Sequence, residues 1–159
     1  MAPSHQTRQR ISKKTAMTQI DFFSNAPDRI EYVARLLLKV QQRGQNAVVY
    51  GSAQTLSALS TALWRSEGFL AHEMMLDNNA PLNDVAPFIL TACEHEHWPH
   101  HQVLINLSDA QPSFFAQFER LIEIVPDEPA PKQKARDRWQ SYKHTGYTLK
   151  HHDIAAMRK

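Results

Sequence analysis

Residues 19–64 read QIDFFSNAPDRIEYVARLLLKVQQRGQNAVVYGSAQTLSALSTALW, and their rhythm sets the fold class. Residues 20–23, Ile-Asp-Phe-Phe, read as a first strand. Asn25-Ala26-Pro27-Asp28 then supplies turn and helix-start residues, and Ile30, Val33, Leu37 and Val40 repeat at the spacing of one helical face. Gly44 stops that helix near Arg43. Residues 47–50 make a second strand, apolar throughout. Gly51-Ser52 turns into another helix whose apolar positions are Leu56, Leu59 and Leu63. Strand, helix, strand, helix at this spacing predicts parallel α/β units, because parallel strands need a crossover between them.

The pattern continues after a less regular middle. Residues 71–76 read as a short extended piece, and Asp77-Asn78-Asn79-Ala80-Pro81 as a loop. Residues 88–91 and 102–107 are strands, the second nearly all apolar and so expected near the sheet centre. Pro112-Ser113 opens a short helix whose Phe114, Phe115 and Phe118 pack inward, and residues 121–125 form a further strand. The tail from Tyr147 returns as an extended piece that carries Lys150, His151 and His152 beside the basic segment 132–145, with Met157-Arg158-Lys159 as a frayed end. The predicted fold is one three-layer α/β/α domain on a mainly parallel central sheet, spanning 17–159. Residues 1–16 are basic and lack apolar periodicity, which predicts a disordered extension. They also lack the apolar central region of a signal peptide.

Charge is divided unevenly along the chain. Residues 1–16 carry +4 with no acid, 17–131 carry six basic against fourteen acidic residues for −8, and 132–159 carry +6. An acidic body with a local basic segment argues against a direct nucleic-acid binder, which needs an extended positive track. No apolar run has the length of a membrane span, so a cytoplasmic protein is expected. The single Cys93 excludes an internal disulfide framework, and its place in the apolar run 88–93 predicts burial.

The basic segment has its own organisation. Glu128-Pro129-Ala130-Pro131 precedes residues 132–145, and Gly146 follows, which delimits about four helical turns. At about 100° per residue, Lys132, Arg136, Trp139 and Lys143 fall on one narrow arc, with Ala135 and Tyr142 beside it to seat the helix. Two readings fit this cationic ridge. One is a solvated basic face whose tryptophan caps the core. The other is a socket for an acidic peptide with an aromatic end, held by charge-assisted hydrogen bonds and an aromatic wall. Composition alone does not choose between them.

From Val103 onward, the run VLINLSDAQPSFFAQFERLIEIVPDEPAPKQKARDRWQSYKHTGYTL resembles the chi subunit of bacterial DNA polymerase III holoenzyme. The shared features are the "LINL" strand, the aromatic-rich short helix, "IEIVP", the "K-Q-x-A-R-x-R-aromatic-x-x-Y" helix and "G-aromatic-x-L". A weaker similarity runs from Met17 to about Met75 and includes Ala62-Leu63-Trp64. The resemblance implies a non-catalytic clamp-loader accessory subunit that bridges the psi subunit and the acidic C-terminal tail of single-stranded DNA-binding protein. It implies a tail socket of Val125, Lys132, Arg136 and Trp139, with Lys143 as a further cation, and a psi-facing pair of Trp64 and Phe69. The sequence departs from the family pattern at Trp139, where the family has tyrosine, and at Gln140, where it has lysine. The spacing from Trp64 to Phe69 is two residues shorter.

Other chemistry is thinly represented. Gly51-Ser52 ends a strand, where phosphate loops occur, yet neither GxxxxGK[ST] nor GxGxxG is present, and a structural turn is expected with no nucleotide cofactor. Glu94, His95, Glu96, His97, His100 and His101 form the one cluster with metal-ligand chemistry. Pro99 interrupts it on a loop, so it reads as a solvated histidine-rich loop with no dedicated metal. The competing reading is a small metal-dependent α/β hydrolase built on that loop. No nucleophile elbow, activated cysteine or paired-acid motif accompanies it.

Overall fold

The computed structural model describes residues 18–65, 72–75, 87–95 and 97–157. Seven strands form one sheet: β1 Gln19–Ala26, β2 Ala47–Tyr50, β3 His72–Met75, β4 Phe88–Thr91, β5 Val103–Asn106, β6 Arg120–Pro126 and β7 Leu149–Asp153, in the order β3-β4-β2-β5-β6-β1-β7. Every described pairing is parallel. The expected α/β class therefore holds, with β5 at the centre of the sheet as its apolar run predicts.

Strand alternation explains the layers, because successive side chains point to opposite faces. Ala47, Val49, Phe88, Leu90, Val103, Ile105, Ile122 and Ile124 pack into one core, under α1 (Arg29–Gln42) and α2 (Ala53–Arg65). Ile20, Phe22, Val48, Ile89, Leu104, Leu121 and Val125 pack into the other, under α3 (Pro129–Thr145) and the aromatic 3₁₀ turn Phe115–Gln117. Burial on both faces is what makes these strands apolar nearly throughout. The short helix predicted after Pro112 is that 3₁₀ turn, and Phe114, Phe115 and Phe118 are buried as expected.

Local signals fix the helix ends. Asp28 Oδ1 accepts from the Glu31 amide at 3.1 Å to start α1, and Gly44 at φ 69° follows its end. Pro lies in the first turn of α3, three residues before the predicted start, and Gly146 closes it at φ 103°. Gly51 is a packing turn: a Cβ there would lie 3.2 Å from Leu107 Cβ.

Three expectations need correction. β1 runs through Asn25 and Ala26, predicted as turn residues, because pairing with β7 extends to Ser24 and pairing with β6 resumes at Ala26, past a register shift between Phe23 and Ala26. Asn25 absorbs that irregularity at φ 60°, a left-handed conformation asparagine tolerates better than most residues. Cys93 is half-buried, since the chain has already left β4 and turns there on hydrogen bonds with Thr91 Oγ1. The tail, expected as an extended piece from Tyr147, instead closes in one helical turn, α4 (Ile154–Met157), because Asp153 Oδ1 accepts from the Ala155 and Ala156 amides and Ile154 is buried; of the expected frayed end only Met157 is described, and it belongs to that turn. Residues 1–16, the 77–81 loop and Arg158-Lys159 lie outside the described residues.

Candidate functional site

The carboxyl ends of β1 and β6 lie side by side, and the chain leaves them toward opposite faces, β1 into α1 and β6 into α3. Such a divergence leaves a crevice beyond the strand ends, the usual place for a ligand in this architecture. Here a groove of about 410 Å³ is lined by Phe22, Ser24 and Asn25 of β1, Val125 of β6, Lys132, Ala135, Arg136 and Trp139 of α3, and His151 of β7. Phe22, Val125 and Ala135 are buried and give it an apolar floor. Trp139 is half-buried and meets the Phe22 ring edge-on at 5.2 Å.

The two cations of the groove differ in state. Lys132 Nζ lies 2.7 Å from Asp127 Oδ1 in a partly exposed pair, which solvent weakens. The exposed Arg136 guanidinium has no ion pair or hydrogen bond among the described residues. Its five donors are open to a carboxylate, which guanidinium can grip with two parallel bonds.

The opposite face of α3 is locked. Arg138 donates from Nε to Glu123 Oε2 at 3.2 Å and from Nη2 to Oε1 at 3.0 Å. Its Nη1 reaches the Asp109 carbonyl at 2.7 Å. The Tyr142 hydroxyl donates to Glu123 Oε2 at 2.8 Å, and Asn106 Nδ2 to Oε1 at 2.9 Å. Glu123 is wholly buried. Burial pushes its carboxyl above the ordinary range, against the pull of Arg138, Tyr142 and Asn106. Burial first, and then the Glu123 charge, pushes the Tyr142 phenol far up, so it stays a donor. This network fixes the rotation of α3 about its axis and thereby turns Lys132, Arg136 and Trp139 toward the groove.

Of the residues singled out from sequence, Val125, Lys132, Arg136 and Trp139 line one cavity. Lys143 is exposed one turn further along and is not part of the lining. Trp64, at the end of α2, is 57% exposed although large and apolar, and its ring lies 4.8 Å from that of His72. It belongs to the helical layer on the far side of the sheet from α3. Phe69 lies outside the described residues.

The histidine loop is less solvated than expected. Trp98 within it is buried against Phe114 and Phe118, which draws His95 and His100 into half-buried positions, while His97 and His101 stay exposed. No three metal-ligating side chains converge among the described residues.

Sequence reasoning missed the Glu123–Arg138 pair. One signal was available: a lone acid inside the apolar strand LIEIV, opposite an arginine and tyrosine spaced i, i+4 on a helix. It also missed Phe22, Ser24 and Asn25, which reach the groove only through the β1–β6–β7 pairing.

Fold and groove together define the class: a Rossmann-like parallel α/β domain with a cationic, aromatic-walled cleft at its topological switch point. Residues 17–150 match the family described as DNA polymerase III chi subunit, HolC. The chain is also 32% identical over 145 residues to the DNA polymerase III subunit chi of Pseudomonas aeruginosa, covering 87% of this chain and 98% of that protein. The chain belongs to the DNA polymerase III chi-subunit family, and is thus an accessory subunit of the polymerase that replicates DNA, with no catalytic part in it. None of the described helices is long and apolar enough to cross a membrane.

Proposed function

We propose that this subunit bridges two partners through separate surfaces: the psi subunit at Trp64, and the acidic C-terminal tail of single-stranded DNA-binding protein in the α3 groove. The observation that carries the reading is the unpaired Arg136 guanidinium beside an apolar floor walled by Trp139. The tail's terminal carboxylate and adjacent aspartates meet Arg136 and Lys132. Its terminal aromatic side chain enters over Val125 and Phe22, against Trp139. Lys143 adds long-range attraction from outside the groove.

The Lys132–Asp127 pair makes binding an exchange, in which a tail carboxylate replaces Asp127 at the ammonium. Trp64 supports the second surface because a large exposed aromatic is the usual anchor of a protein interface, and Phe69 is assigned with it. The acidic body keeps nucleic acid off the subunit itself. Titration of an acidic peptide ending in Asp-Phe into wild type and Arg136→Ala tests the groove. The variant is expected to bind at least tenfold more weakly with an unchanged melting temperature. A loss under twofold overturns the assignment.

A further inference from the structure

The groove contains one residue that the tail-socket reading leaves without a role. His151, on edge strand β7, lines the cavity opposite α3. Its Nε2 lies 2.6 Å from Ser24 Oγ, and its ring centroid is 6.4 Å from that of Trp139, nearly perpendicular to it. Nδ1 has no hydrogen-bond partner among the described residues, and the residue is exposed. The parallel register explains the placement: His151 pairs with Phe22, a floor residue, whereas the next residue, His152, faces the other side of the sheet. His152 stacks on Phe23 at 4.5 Å and reaches Asp21 Oδ1 at 3.2 Å.

We propose that His151 is a ligand-contacting residue of the groove, which adds a third, protonation-dependent cation for an acidic peptide. The proposal rests on the tail-binding reading above and extends it. With Nε2 accepting from the Ser24 hydroxyl, neutral imidazole carries its proton on Nδ1 and donates one uncharged hydrogen bond. Protonation reverses the Ser24 bond, so that Nε2 donates, and leaves Nδ1 a charged donor, about twice as strong toward a carboxylate. The charged groups on the ring's side of the sheet are Lys132 and Arg136 on α3 and Asp153 along β7; Ser24 and Asn25 on β1 are uncharged, and Lys150 and His152 alternate to the other face. Asp153 accepts from Asn25 Nδ2 at 2.9 Å and also interacts electrostatically with His151, but it makes no hydrogen bond to the ring, whose Nδ1 stays available to an incoming carboxylate. Linkage fixes the sign: an anionic peptide favours the charged ring, so affinity rises as pH falls through the imidazole range.

The test uses an N-acetylated acidic peptide ending in Asp-Phe with a free C-terminus, which has no group of its own titrating between pH 6 and 8. At constant ionic strength, wild type is expected to bind about threefold more tightly at pH 6 than at pH 8, the scale of a partly exposed charge pair. His151→Gln is expected to lose that ratio, and His144→Gln, exposed at the end of α3, to keep it. A ratio that survives in His151→Gln, or its absence from wild type, overturns the proposal while binding that still depends on Arg136 leaves the groove reading standing. Loss of Arg136 dependence instead removes both. Should His151→Gln fold poorly, ring-proton NMR of the wild type decides: peptide is expected to move the His151 titration to higher pH, and an unmoved titration overturns the role.

Discussion

Arg136 and Arg138 sit two residues apart on one helix and do opposite work. Two steps at about 100° each put them on opposing faces. Arg138 is buried with every carboxylate contact fulfilled, whereas Arg136 is exposed and uncommitted. The first orients the helix, and the second is what the oriented helix presents. A basic run in sequence is thus two functions interleaved, and the strand register beneath decides which arginine serves which.

The sharpest break of this contrast is Arg138→Ala. Removing one partner leaves Glu123 as a buried charge without its counter-ion, a loss of about 3–5 kcal/mol. Urea denaturation is expected to show it, and tail binding by the folded fraction is expected to weaken as well, because α3 loses the contacts that orient Arg136. Glu123→Gln combined with Arg138→Met removes both charges and should recover most of the loss. If Arg138→Ala were as stable as wild type, the network would not be what positions α3.

The next effect contrasts the groove with the far layer. Trp64→Ala should weaken psi-subunit association by about 2 kcal/mol, or roughly thirtyfold, as expected of an exposed aromatic anchor. It should leave peptide affinity unchanged, because Trp64 and the groove lie on opposite sides of the sheet. Equal loss at both surfaces would mean a folding defect and would merge the two sites. A smaller effect concerns salt. Raising ionic strength should weaken tail binding in wild type and less steeply in Arg136→Ala, since partly exposed charges are screened over about 10 Å at 0.1 M.

The smallest is at the β1 bulge. The Asn25 amide first, with the Ala156 and Ala155 backbone amides, holds the Asp153 carboxyl below its ordinary value. A lowered folded-state pKa gives stability that is complete above the unfolded value of about 3.9 and fades as pH falls below it. Acid unfolding curves of wild type and Asp153→Asn should therefore differ near neutrality and converge at the acid end.

The fold was legible because its signals are local. Strands β2 and β4 have the ends their apolar runs predict, and Asp28, Gly44 and Gly146 mark helix ends by their own chemistry. The cationic arc was legible for the same reason, since helical spacing alone groups Lys132, Arg136 and Trp139. What sequence reading could not supply is everything set by register. Glu123 meets Arg138 only because β6 lies under α3. Ser24 reaches the groove only because β7 adds to β1 across 127 residues of chain, and of the three tail residues expected beside the ridge the same pairing decides that His151 lines the groove. The bulge at Asn25 and the capped turn after Asp153 depend on the same pairing.

The central claim is that the outward face of α3 reads a free, acidic, aromatic-tipped chain end. Its most direct test is a calorimetric titration at low salt of an acidic peptide ending in Asp-Phe, beside the same peptide amidated at its C-terminus. The free acid is expected to bind with one-to-one stoichiometry and the amide at least tenfold more weakly. Equal affinity for the two, or no binding of either, would contradict the account.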